Sequence, residues 1–186
     1  MNSQSERLKY LVKEFISDSE DYRDLKTPES EEERKTLLRS LMNIRLPKRM
    51  SDHVIKVQDQ YLKKRAEEKG IVKLSDIPVI RDGLSIWQGD ITRLGTDAIV
   101  NAANSQMLGC FIPMHTCIDN CIHSFAGIQL REECNRQMQK LKSIHGEDFE
   151  MPVAEPMLTD AYNLPAKKVI HITGPVVQRY LTEKNE

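Results

Sequence analysis

Gly70 divides the chain into two stretches whose apolar residues follow different periods, so one kind of secondary structure cannot serve both. Ahead of it, Leu8, Leu11, Val12, Phe15 and Ile16 recur at i, i+3, i+4, i+7 and i+8, which puts them on one face of a helix. Thr27 and Pro28 predict the cap and first turn of a second helix. The acidic run "ESEEE" suits its dipole, and Leu37, Leu38, Leu41 and Met42 form its apolar side until Pro47 breaks it. Ser51 caps a third helix carrying Val54, Val57 and Tyr61, which Gly70 stops. No chemistry is legible in this helical segment, residues 1–70.

After Gly70 the pattern becomes short and β-rich. "LSIWQGDI", "DAIVNAA" and "AKKVIHIT" read as strands. Between the last two, Ile118, Ile122, Phe125 and Leu130 predict a helix continuing through "REECNRQMQKLK". Strands alternating with helices predict an α/β domain over 71–186, with ligands beyond the carboxyl ends of the strands. "QGDIT", "NAANS" and "ITGP" fall there.

Composition narrows the functions. Twenty-seven basic and 28 acidic residues are interspersed and leave a net charge of −1, which speaks against nucleic acid and against a polybasic membrane anchor. No apolar run reaches the roughly 18 residues of a spanning helix. "MNSQSERLKYLVKEF" lacks the apolar stretch of a signal peptide, so a cytoplasmic protein with four reduced cysteines is expected.

Two of those cysteines flank a histidine in "GCFIPMHTCIDN". A turn at Pro113 would let Cys110, His115 and Cys117 converge, and two thiolates with an imidazole suit zinc while leaving a fourth position open. Spacing alone leaves open a second reading, a buried loop with inert cysteines and a core histidine. Cys121 and His123 are rival ligands that fit better as packing residues of the following helix, and Cys134 fits the core.

The ordered motifs "QGDITRLGTDAIVNAANS", "CIDNCIHSFAG" and "YNLPAKKVIHITGP" resemble the macrodomain family, which binds ADP-ribose. The resemblance runs from about Leu84 to Pro175. It implies a three-layer α/β/α mixed sheet, here preceded by a helical N-terminal extension. The "CFIPMHTC" insertion is similar to the zinc-dependent bacterial branch, whose members are protein-ADP-ribose hydrolases linked to sirtuin-type ADP-ribosyl transferases. That likeness implies one zinc ion held by Cys110, His115 and Cys117, and an ADP-ribosylated protein as substrate, with a lipoyl-carrier protein as the target class. Non-catalytic ADP-ribose binding with a structural zinc, and hydrolysis of O-acetyl-ADP-ribose, are the alternatives.

Residue by residue, the resemblance implies that Asp90 and the Ile91 amide read adenine. Asn104 can donate and accept at once and so suits a ribose. Asp119 would stand near the distal ribose as a catalytic group with Asn104, and equally suits an N-cap. Amides from Ile118 through Asn120 to Cys121, at a helix start, would favour a pyrophosphate. Asn101 reads as structural and Asp97 as a turn residue. Thr182 and Glu183 read as the start of a further helix. Family members continue for several tens of residues beyond it, so the resemblance implies a C-terminally truncated chain with half of the phosphate cradle outside this sequence.

Overall fold

The computed structural model describes residues 3–175. The first stretch folds as its periodicity requires. Helix α1, Gln4–Asp18, buries Leu8, Leu11, Val12, Phe15 and Ile16, and Ser3 and Glu6 form a capping box at its start. Helix α2, Glu31–Ile44, begins later than Thr27-Pro28 predicts. Ser30 is the cap, accepting from the Glu33 amide at 3.2 Å, while the Pro28 and Glu29 carbonyls are drawn to the Arg34 guanidinium and stay outside the helix. Helix α3, Asp52–Lys69, is capped by Ser51 and ends at Gly70 as predicted. The three helices share one apolar cluster, which Ile128 from the second part of the chain joins.

In that second part, short strands β1 (Val72–Lys73), β2 (Val79–Arg81), β3 (Leu84–Ser85) and β4 (Leu94–Gly95) form two small pairs, β1 parallel to β4 and β2 antiparallel to β3. "LSIWQGDI" therefore contributes only two strand residues. Leu84 and Ile86 stay in solvent, Ile86 at 80% exposure, because among the described residues the run has only β2 to pair with, while Trp87 and Ile91 are half-buried.

The main sheet joins β5 (Ala98–Ala103), β6 (Pro156–Asp160) and β7 (Lys168–Thr173) in the order β5-β7-β6. β5 runs parallel to β7 and β6 antiparallel, so the sheet is mixed. β6 had no counterpart in the sequence reading. Helices α4 (Ile118–Ala126) and α5 (Ile128–His145) occupy the place of the single predicted helix. Gly127, at φ +99°, separates them, and a Cβ there would lie 2.6 Å from Gln58 Nε2. The period-2 pattern sends Ile99, Met157 and Val169 into a second core against α4 and α5. Val100 and Leu158 point the other way and are about half exposed. Among the described residues, helices cover one face of this sheet. The predicted helix at Thr182 lies outside the described residues. No helix among them is long and apolar enough to cross a membrane.

Candidate metal centre and active site

The site grows from the carboxyl end of β5, as the α/β rule predicts. Asn104 follows the strand directly and turns the chain: its Oδ1 accepts from the Gln106 amide at 3.1 Å and its Nδ2 donates to the Gly109 carbonyl at 3.2 Å. Gly109 takes φ +80° and passes so close to His123 that a Cβ would meet the ring at 2.7 Å. The loop 110–117 then returns to α4, and Cys117 caps that helix, its Sγ accepting from the Asn120 amide at 3.4 Å. Asp119 is the second residue of the helix, so the cap predicted for it is Cys117.

Cys110, His115 and Cys117 converge as the spacing allowed. Their ligand atoms lie within 4.8 Å of one another, and Cys110 Sγ stands 3.6 Å from His115 Nδ1. A tetrahedral ion with sulfur at about 2.3 Å and nitrogen at about 2.0 Å has an S···N edge of about 3.5 Å, so this pair already has the spacing zinc needs. Burial pushes the Cys117 thiol up, and the Cys110 thiol adds to it while the Asn120 amide opposes. A cation between the two would remove that penalty. The donor set therefore fits zinc. Cys121 stays outside it, near the Thr116 carbonyl and the Arg39 guanidinium.

Asn120 does not face outward. It is fully buried, donating to the Cys110 and Ile112 carbonyls at 3.3 and 2.9 Å, so it shapes the metal loop. Its amide is spent on Cys117, and the Cys121 amide on the Cys117 carbonyl. Of the four amides at the helix start, those of Ile118 and Asp119 are left for an anion. Asp119 is 5% exposed, and Oδ1 accepts from Asn101 Nδ2 at 2.7 Å. Burial raises its carboxyl above the ordinary range, opposed by the Asn101 bond and Arg131.

Asp90 lies at the end of the "LSIWQGD" run, on a turn that packs against α4. Its Oδ1 caps a 3-10 turn, Ile91–Arg93, accepting from the Thr92 amide and hydroxyl, while Lys69 Nζ stands 3.9 Å from Oδ2. Asp97 is exposed and pairs with Lys167 at 2.7 Å.

A second set of soft ligands lies in the core. His123, Cys134 and His171 also bring their ligand atoms within 4.8 Å, all buried. Here His171 is already satisfied, Nδ1 by Asn101 at 3.0 Å and Nε2 by Thr159 at 3.0 Å. Among the described residues His123 has no hydrogen-bond partner, and its 3.6 Å separation from Asp119 is too long for one. Burial, then Arg131, then His171 hold it neutral, so the pair carries no ion-pair energy.

Sequence reasoning missed the residues that reach the loop from α2. Arg39 donates to the His115 carbonyl at 2.7 Å and to Asn120 Oδ1 at 2.9 Å, and Asn43 Oδ1 accepts from the Met114 amide at 3.0 Å. Only the i, i+4 spacing of two polar residues beside the apolar stripe hinted at a shared polar face.

The macro domain family model matches residues 100–186. A protein-ADP-ribose hydrolase of Treponema medium is 43% identical over 98% of this chain and 69% of its own length. That decides the family. The chain is a member of the macro domain family. A second relative, the protein-ADP-ribose hydrolase of Staphylococcus aureus (strain MSSA476), is 38% identical over 99% of this chain and 67% of its own length. The crystal structure of the Trypanosoma brucei macrodomain in complex with ADP-ribose aligns at 26% identity and a TM-score of 0.50, covering 76% of this chain and 60% of that one.

Proposed function

We propose that this macrodomain chain is a zinc-dependent ADP-ribosyl hydrolase that removes mono-ADP-ribose from a modified protein side chain. The observation that carries the reading is the convergence of Cys110, His115 and Cys117 against the first turn of α4. The relatives named protein-ADP-ribose hydrolase, aligned along nearly the whole chain, support the same activity.

Bound zinc supplies an open coordination position that can hold a ribose hydroxyl or acidify a water. The chain's own residues do the rest. The Ile118 and Asp119 amides and the dipole of α4 receive the pyrophosphate. Asn104 keeps one amide hydrogen and one lone pair beyond its two loop bonds, enough to fix a ribose hydroxyl. Asp119 orients or deprotonates the attacking water, and Asn101 holds it in place. An upward-shifted carboxyl is the better base near neutral pH. As water adds to the anomeric carbon, the bond to the acceptor side chain breaks through an oxocarbenium-like state that a nearby carboxylate stabilises, and the proton given up by the water ends on the departing side chain. On the adenine side, Asp90 Oδ2 accepts from the exocyclic amino group beside the Ile91 amide. The substrate is an ADP-ribosylated protein, a lipoyl-carrier protein by the branch likeness, modified by a sirtuin-type transferase in the cytoplasm.

One observation favours a second reading, a zinc-bearing module that binds ADP-ribose without cleaving it: Asp119 is nearly inaccessible and already bonded to Asn101. The test measures zinc by elemental analysis, ADP-ribose affinity by calorimetry, and ADP-ribose released from a modified protein. One zinc with release supports the hydrolase. Zinc and binding without release support the module, and no zinc in folded protein rejects both.

A further inference from the structure

The loop that carries the three ligands is held less by its own residues than by the helical layer. Met114, immediately before His115, takes φ +58°, the left-handed region that a methionine enters only at a cost of about 1 kcal/mol. Something must hold the backbone there. Asn43 takes the Met114 amide at 3.0 Å, and Arg39 takes the His115 carbonyl at 2.7 Å. The two side chains stand four residues apart on α2 and so share one face of that helix. Both continue into α4. Arg39 reaches Asn120 Oδ1 at 2.9 Å and Ser124 Oγ at 3.3 Å, and Asn43 Nδ2 reaches Ser124 Oγ at 2.8 Å. Asn120 in turn holds the carbonyls of Cys110 and Ile112.

We infer that Arg39 and Asn43 are positioning residues for the metal loop: they fix the backbone on both sides of the Met114–His115 peptide, so that the imidazole meets the two thiols without having to be ordered by the ion. The inference rests on the zinc reading proposed above. It assigns the N-terminal helices a part in the site, although no atom of Arg39 or Asn43 is a ligand. Outer partners that orient metal ligands change metal affinity by about 10- to 100-fold when removed.

Zinc release from the 186-residue chain into excess colorimetric chelator measures this directly, and cobalt substitution reports ligand geometry by its absorption bands. Arg39→Ala is expected to release zinc about 10- to 100-fold faster and to broaden the cobalt bands. Arg39→Lys, which keeps a charge but loses the planar fork, falls between. Leu38→Ala removes buried apolar packing from the same helix, so it should lower the melting temperature while leaving the release rate unchanged. If Arg39→Ala does not fold, Asn43→Ala against Asn43→Asp decides, since aspartate keeps the acceptor for the Met114 amide. Fast release by the alanine variant and slow release by the aspartate one support the inference. Equal rates in the unsubstituted chain and the Arg39 and Asn43 variants overturn it, as does Leu38→Ala matching Arg39→Ala. A chain that takes up no zinc overturns the zinc reading, and this inference with it.

Discussion

Two groups of histidine and cysteine form in this chain, and in both the ligand atoms lie within 4.8 Å of one another. Cys110, His115 and Cys117 sit on an accessible loop, with His115 exposed. His123, Cys134 and His171 are sealed between the sheet and its helices. The difference lies in what else those atoms touch. In the core group both nitrogens of His171 are occupied by Asn101 and Thr159, and Arg131 stands close enough to disfavour another cation. In the loop group the ligands have few competing bonds, and the loop backbone is anchored from outside. Convergence is common to both; the core group keeps unpartnered ring nitrogens on His123 but is buried throughout, whereas the loop group has an exposed ligand.

The sharpest way to break the comparison is to remove one cysteine from each group. Cys117→Ala should lose zinc entirely, whereas Cys134→Ala and Cys121→Ala should retain about one per chain, by elemental analysis of tag-free protein. Metal lost with Cys134 instead would move the centre into the core.

Asp119 touches both groups, beginning the helix that Cys117 caps and facing His123 and Asn101. Asp119→Asn should cut ADP-ribose release by about 10²- to 10⁴-fold while zinc stays bound, the range for a positioned acid–base group. An unchanged rate would leave Asp119 as a core residue only.

The core group should announce itself through pH. Burial lowers the His171 imidazole to about 4, against about 6.5 in an unfolded chain. Its contribution is complete above pH 6.5 and falls by about 1.4 kcal/mol per pH unit on the way down to pH 4, because the unfolded state takes up the proton first. His123 acts in the same direction, and Asp119, raised by burial, opposes both. Urea titrations of the unsubstituted chain and His171→Gln should therefore converge in relative stability as the pH falls. Parallel curves would mean His171 does not stay neutral.

The smallest effect belongs to Asp90, outside both groups. Asp90→Ala should weaken ADP-ribose binding by about 1.5–3 kcal/mol, the value of a hydrogen bond to a charged group, measured by calorimetry. Unchanged affinity would return Asp90 to its role as a turn cap.

Legibility followed the range of the interaction. The stripe from Leu8 to Ile16, the Ser51 cap and the core strands β5 and β7 are written in local spacing, and the structure matches them. The Cys110, His115 and Cys117 set was also within local reach. Thr27 lost to Ser30 because two serviceable caps lie three residues apart and only the folded Arg34 chooses between them. "LSIWQGDI" has strand composition but needs a neighbouring strand to become one, and composition does not say where that neighbour is. Beyond their shared helix face, nothing local pointed to Arg39 and Asn43, because they bind main-chain atoms some 70 residues away, and a main-chain amide or carbonyl leaves no mark in a sequence.

Arg131 makes that dependence hard to undo. Buried in α5, it collects the carbonyls of Met42, Asn43 and Arg45 at the end of α2, donates to the Leu108 carbonyl at 2.8 Å, and lies over the Phe111 ring at 4.3 Å. Burial, only partly offset by Asp119, pushes its guanidinium down to about 10, still charged at neutral pH. A cut at Gly70 that discarded the first three helices would strip this cation of three of its four carbonyl acceptors and open it to water. The two parts of the chain are thus tied through one buried cation, a joint made by none of the three proposed metal ligands.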